Sequence, residues 1–120
     1  MNLGAFSVSL DVKNIEESRS FYEALGFEVI DGQYNHQEDF SLEEGQDWLI
    51  LQNESTTLGL FQGMLKSDTL TFHPKDVRTI QAGLREKGIP LLVEADEDST
   101  GPTAIMFQDP DGHPILMDQL

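Results

Sequence analysis

Three histidines and 22 carboxylates are the side chains of this 120-residue chain that could bind a metal ion or move a proton. His36, His73 and His113 do not stand two or four residues apart, the spacings that bring two imidazoles together on one strand or helix. The absence of cysteine excludes disulfides, thiolate metal sites and thiol nucleophiles. No nucleophile-elbow, phosphate-loop or dinucleotide-binding motif occurs. Local motifs therefore predict no metal site and no catalytic triad.

The charge balance restricts the partners. Seven basic residues against 22 acidic ones give a net charge of -15, which argues against binding to nucleic acid or to anionic membrane surfaces. Apolar runs such as 48–51 are far shorter than the ~20 residues of a membrane span. The chain opens without a basic segment followed by an apolar one, so we expect a cytoplasmic protein.

The helices and strands can be predicted from the alternation of apolar residues and from capping signals. Asn14 and Asp76 are predicted helix N-caps, and Gly26 and Gly88 are predicted helix stops. The first helix should turn an inner stripe toward the core, with Phe21 beside it; the stripe comprises Ile15, Ser18, Tyr22 and Leu25. Strands are predicted over 5–12, 27–30, 48–52, 58–62, 69–73, 89–93, 103–107 and 114–119. The acidic run 94–98 reads as a solvated loop.

The two halves of the chain repeat at an offset of 62 residues. The segment 7–10 corresponds in residue class to 69–72, and 13–15 corresponds to 75–77. Gly26 likewise corresponds to Gly88. The repeat predicts an α+β fold in which two βαβββ modules form a curved mixed sheet with helices on its convex face. We expect a single domain over 1–120, with modules of about 1–63 and 64–120.

Three segments resemble a known family. They are 8–12 with Asn14, then 18–27 with its Phe-Tyr and Leu-Gly-Phe pairs, and 107–116 around Asp-Pro-Asp-Gly. At these distances they resemble the vicinal oxygen chelate superfamily, the group of glyoxalase I, bleomycin-resistance proteins and extradiol dioxygenases. The superfamily includes isomerases, dioxygenases, transferases and non-catalytic binders, so the resemblance implies the fold more strongly than an activity.

The resemblance also implies where a metal would be held. The metalloenzymes of the superfamily use four positions, usually His, Gln or Glu, and these match Ser7, Gly59, Thr69 and Leu116 here. None of the four offers an imidazole or a carboxylate, as a divalent cation requires. We therefore predict no metal site and no cofactor.

A small-molecule pocket is the remaining expectation for the concave face. Its predicted ligand-binding residues are Ser7, Ser9, Trp48, Gly59, Phe61, Thr69, Thr71, His73 and Leu116. Small hydroxyl-bearing residues leave volume and can both donate and accept hydrogen bonds. The resemblance adds a precedent, since bleomycin-resistance proteins are acidic dimers that sequester a cationic drug without protein metal ligands. We predict a metal-free, non-catalytic homodimer that binds a cationic or aromatic small molecule.

Two other functions remain open at this point. One is a lyase or dioxygenase of the glyoxalase type that uses displaced metal ligands such as His36 or His73. The other is a structural or protein-interaction role. Trp48 has two interpretations, a core or dimer contact and a stacking surface for a flat ligand. His36 and Tyr34 could close over a ligand or simply be solvated, and His113 reads as a solvated turn residue.

Overall fold

A computed structural model of the chain describes residues 1–32 and 42–120. The elements in chain order are β1 (Ala5–Val12), α1 (Ile15–Ala24), β2 (Glu28–Gly32), β3 (Asp47–Asn53), β4 (Thr56–Gln62), β5 (Thr69–His73), α2 (Val77–Glu86), β6 (Thr103–Gln108) and β7 (Pro114–Gln119). This order confirms the predicted α+β class with two repeated modules. Neither described helix is long and apolar enough to cross a bilayer.

The chain divides into two compact units. The first unit is Ser7–Asp68, and the second unit combines Met1–Phe6 with Thr69–Leu120. The treatment of the whole chain as one domain stays a prediction.

The first unit is a mixed sheet with the strand order β2-β3-β4-β1 and one helix. β1 runs parallel to β4, whereas β3 is antiparallel to both β2 and β4. The helix α1 covers one face, where the buried cluster comprises Ile15, Leu49, Leu51 and Leu60. Side chains alternate along a strand, so the intervening residues lie on the face opposite α1.

The helix α1 begins as the sequence predicts. Asn14 is its N-cap, and its Oδ1 accepts a hydrogen bond from the Glu17 backbone N–H. The Ile15 N–H, a first-turn donor that has no partner within the helix, donates to Gln62 Oε1 at 2.9 Å. At the other end Gly26 has a φ of 99°, a left-handed conformation that favours glycine.

The predicted inner stripe of α1 is wrong at its C-terminal end. Leu25 is 58% exposed, and the neighbouring Phe21 is 61% exposed. The helix ends at Ala24, so Leu25 occupies the C-cap rather than a further position on the packed face. Ile15 is the buried residue of this helix.

The second unit repeats the design with the strand order β5-β7-β6, where β5 and β7 are parallel and β6 and β7 are antiparallel. Its core joins three residues of α2 to the strands and to Ala95; the cluster comprises Val77, Ile80, Leu84, Ala95, Ile105, Phe107 and Met117. Asp76 caps α2 by accepting from the Thr79 N–H, and Gln119 Oε1 accepts from the Val77 N–H at 2.9 Å. Gln119 therefore accepts a hydrogen bond from the first backbone N–H of α2, as Gln62 does at the start of α1.

The predicted strand over 89–93 is reduced to an isolated antiparallel bridge between Val93 and Met106. Pro90 has no N–H to contribute to a ladder, and the Ile89 N–H donates instead to the Leu84 carbonyl at the end of α2. Only Leu92 and Val93 reach the edge of β6, where both N–H groups donate to the Met106 carbonyl.

Candidate functional site

One row of candidate residues crosses the first unit on the face opposite α1. Ser9 pairs with Gly59 between β1 and β4, Gly59 pairs with Ile50 between β4 and β3, and Ile50 pairs with Asp31 between β3 and β2. Paired residues present their side chains on the same face of a sheet. Ser7, two residues before Ser9, shares this face, and both serines are buried.

A second row, two residues further along the strands, carries the aromatic side chains. Trp48 of β3 pairs with Phe61 of β4, and Phe61 pairs with Asp11 of β1. The Phe61 ring lies back over Gly59, since a β-carbon at position 59 would be 2.5 Å from Phe61 Cε2. The ring thus fills the space that any side chain at position 59 would need.

The remaining candidates lie on the corresponding face of the second unit. Thr69, Thr71 and His73 alternate along β5, and Thr71 pairs with Leu116 of β7. Both threonines are buried. His73 is half-buried, and its Nδ1 lies 3.0 Å from the backbone carbonyl oxygen of Asp118.

The four positions that the resemblance assigns to metal ligands are divided between the two units. Ser7 and Gly59 belong to the first unit, and Thr69 and Leu116 to the second. Two hydroxyls, a hydrogen atom and an isobutyl group do not make a donor set for a divalent cation. Within residues 1–32 and 42–120, no three His, Asp or Glu side chains are grouped so that they could hold a metal ion.

The structure describes His113 but not His36, which lies outside the described residues together with Tyr34. His113 is exposed in the turn after β6, and its Nδ1 bonds Asp109 Oδ2 at 2.7 Å. The Asp109 carboxylate also accepts from the backbone N–H of His113, and that bond chiefly holds the pKa of Asp109 below its ordinary value. Asp109 and His113 are thus partners within one turn.

Four residues outside the predicted ligand-binding set also share these faces. Asp11, Asp31 and Ile50 lie on the face of the first unit, and Met106 pairs with Leu116 in the second. Strand alternation over 5–12 is the signal that puts Asp11 on the same face as Ser9. Asp31 could not be placed because a register shift between Val29 and Asp31 interrupts β2.

A cavity of about 530 Å³ also lies in the second unit. The N-terminal segment and the first turn of α2 line it, with contributions from Met1, Gly4, Lys75 and Ile80. None of the predicted ligand-binding residues lines this cavity. Sequence patterns gave no signal for it, because its walls come from segments that are some 70 residues apart.

Known proteins share the architecture. A sequence comparison with curated proteins finds no significant match. Among solved structures, a Bacillus halodurans hypothetical protein superimposes with a TM-score of 0.72 at 11% identity, covering 95% of this chain and 91% of the other. Streptomyces coelicolor methylmalonyl-CoA epimerase gives 0.69 at 18% identity, covering 98% of each chain. A superfamily member from Vibrio splendidus gives 0.61 at 18%, covering 95% and 96%.

These structural likenesses, all below 20% identity, establish the fold and leave activity open. A family model assigns more of the sequence. The model of the glyoxalase/bleomycin resistance protein/dioxygenase superfamily matches residues 5–117, nearly the whole chain, and the chain therefore belongs to that superfamily.

Proposed function

We propose that this chain binds a small organic molecule without a protein-held metal and does not transform it. The observation that carries the proposal is the Phe61 ring over Gly59. The resemblance places a metal ligand at position 59, where this chain has an aromatic ring packed on a glycine. An aromatic surface therefore takes the place of a coordinating side chain, which suits binding better than Lewis-acid chemistry.

The other three positions support the same conclusion. Ser7 and Thr69 offer neutral hydroxyls, and Leu116 offers only apolar surface. Hydroxyls bind polar groups of an organic ligand well, whereas a divalent cation needs about four nitrogen, carboxylate or thiolate donors at ~2.0–2.5 Å. The proposed metal-free site thus rests on the chemistry of the side chains present.

The face of the first unit favours a flat ligand that carries positive charge. Trp48 and Phe61 are cross-strand neighbours, and Ile50 extends their apolar surface toward β2. Asp11 pairs with Phe61 on one side, and Asp31 pairs with Ile50 on the other. Aromatic faces attract organic cations, and two carboxylates beside them add to that attraction. The net charge of -15 raises the local cation concentration further.

Trp48 is the single tryptophan of the chain, so its fluorescence reports directly on this face. We expect 9-aminoacridine, a flat cation, to quench Trp48 and to raise the melting temperature, because it binds only the folded protein. The neutral parent acridine, tested at slightly alkaline pH, should bind more weakly. Phe61→Ala should weaken dye binding about tenfold, whereas Phe21→Ala, which removes an exposed ring on α1, should leave it unchanged.

Equal dye binding by the Phe61→Ala and Phe21→Ala variants would contradict a role of the aromatic face in ligand binding.

Metal analysis of protein purified without chelator or affinity tag tests whether the site is metal-free. Stoichiometric zinc, nickel, iron or manganese would contradict a metal-free site and favour an enzyme with displaced ligands. The homodimer and the cytoplasmic location remain expectations from the sequence.

A further inference from the structure

The four strands of the first unit carry acidic charge and no basic charge. Neither lysine nor arginine occurs in β1, β2, β3 or β4, and their charged residues are Asp11, Glu28, Asp31 and Asp47. Asp11 pairs with Phe61 on the face opposite α1, and Asp31 of β2 shares that face. Glu28 lies there as well, because its partner Gln52 stands two residues along β3 from the partner of Asp31. No basic residue of these strands therefore compensates the carboxylates of this face.

The carboxylates stand on opposite sides of an apolar strip. Asp11 pairs with Phe61, whose ring lies over Gly59. Gly59 in turn pairs with Ile50, and Ile50 pairs with Asp31, so these pairs form one path across the face. The strand order β2-β3-β4-β1 puts three strand spacings between the two ends of the path, about 14 Å in all.

Each end of the path carries two carboxylates. Asp68 Oδ1 accepts a hydrogen bond from the Asp11 N–H at 2.9 Å, which brings a second acidic side chain to the β1 side. We call Asp11 with Asp68 the β1 flank, and Glu28 with Asp31 the β2 flank. Asp31 is oriented by its own backbone, since its Oδ1 accepts from the Gly32 N–H at 2.9 Å. The face thus has two separate negative flanks with an aromatic ring between them.

We propose that the ligand of this face is an elongated organic dication, with one positive charge at each flank and an apolar or aromatic middle over Phe61 and Ile50. The two charges stand about 14 Å apart, as the strand spacing dictates. A single cation approaches only one flank closely, whereas a dication of this length approaches both. The aromatic ring between the flanks attracts the apolar middle and the neighbouring cationic groups. The proposal rests on the proposed small-molecule binding and specifies the number and spacing of the ligand's charges.

Charge number and spacing are tested with three ammonium salts, each titrated calorimetrically at low ionic strength. Decamethonium has two quaternary nitrogens on a chain that spans the two flanks when extended. Hexamethonium has the same two charges on a chain too short to span them, and decyltrimethylammonium has the long chain with one charge. We expect decamethonium to bind about fivefold more tightly than either of the others, and added salt should reduce this preference.

Variants identify the carboxylates involved. Asp11→Asn and Asp31→Asn each remove one charge and keep the shape of the side chain, and asparagine at position 31 retains an oxygen for the Gly32 N–H. Each variant should reduce the preference for decamethonium by at least half. Glu17→Gln is the matched control, because it removes one exposed charge from α1 on the other face of the sheet. It should leave the preference unchanged.

The outcomes separate this inference from the proposed function. Equal binding of decamethonium and either comparison salt overturns the dication, and so does a preference that both asparagine variants retain in full. If 9-aminoacridine binds and no ammonium salt does, the dication is again overturned and the proposed function stands. If neither the dye nor any of the salts binds, the proposed function fails, and the dication fails with it.

Discussion

Gln81 is the fully buried polar side chain of α2, and it holds the loop that follows the helix. Its Oε1 accepts from the Ala95 N–H at 2.8 Å, and its Nε2 donates to the Ala95 carbonyl at 3.1 Å. The two bonds satisfy both backbone groups of a buried residue. Gln81→Ala removes them and leaves a cavity, so we expect a loss of about 2–4 kcal/mol in the free energy of unfolding, measured with urea.

Gln108→Ala is the matched control, because Gln108 is exposed on β6 of the same unit. It should change the free energy of unfolding by less than about 0.5 kcal/mol. Equal effects of the two substitutions would mean that the paired bonds to Ala95 add no stability.

At this scale the sequence predicts local contacts and misses distant ones. Asn14 and Asp76 were predicted as N-caps because a cap and its target lie three residues apart. Gln81 gave no such signal, since a polar residue in a helix ordinarily faces solvent and its partner lies 14 residues away. Phe61 was predicted as a ligand-binding residue, but the position of its ring over Gly59 could not be predicted, because the rotamer follows from packing.

The two helices are capped by different chemical groups, and this difference predicts how they respond to acid. Asn14 does not titrate, whereas Asp76 is ionised, and hydrogen bonds from the Thr79 side chain and backbone lower the pKa of Asp76 below the ordinary aspartate value of 3.8. A lowered folded-state pKa stabilises the protein above the unfolded value and loses this contribution as the pH falls through the folded value. Acid should therefore weaken the α2 cap selectively.

Asp76→Asn tests this, because asparagine caps a helix without titrating. We expect the variant to lose less stability than the wild type when the pH falls from about 5 to below 3.8. Asp98→Asn, an exchange at an exposed loop residue, should follow the wild-type curve. Parallel acid curves for Asp76→Asn and the wild type would show that the cap does not contribute to acid sensitivity.

The presence of each helix and strand could be predicted from periodicity, whereas the ends of these elements depended on tertiary contacts. All seven observed strands and both helices were predicted, since each has its own alternation or cap. The strand expected over 89–93 failed because apolar residues are not sufficient where Pro90 interrupts the donors. Leu25 failed as an inward residue because the helix had already ended. To predict which residues are neighbours on the site faces, the register of β1, β3 and β4 must be known, and a single sequence does not contain it.

At the scale of the whole molecule, the charge of -15 is the dominant property. Each of the three arginines has a polar partner: Arg19 pairs with Glu16 and Glu23, Arg85 pairs with Glu94 and Glu97, and Arg78 donates to the backbone at Asp96 and Gly101. Seven basic residues cannot neutralise 22 acidic ones. Most carboxylates therefore repel one another in the folded protein more strongly than in the expanded unfolded chain.

Salt screens this repulsion, so sodium chloride should raise the melting temperature by several degrees between about 10 mM and 0.5 M at neutral pH. Choline chloride should act alike, because screening depends on ionic strength and not on the identity of the cation. The double substitution Glu28→Gln and Glu44→Gln removes two exposed charges and should flatten the dependence. A rise seen with sodium and not with choline would contradict screening and indicate specific sodium binding, because only a bound ion distinguishes two salts at equal ionic strength.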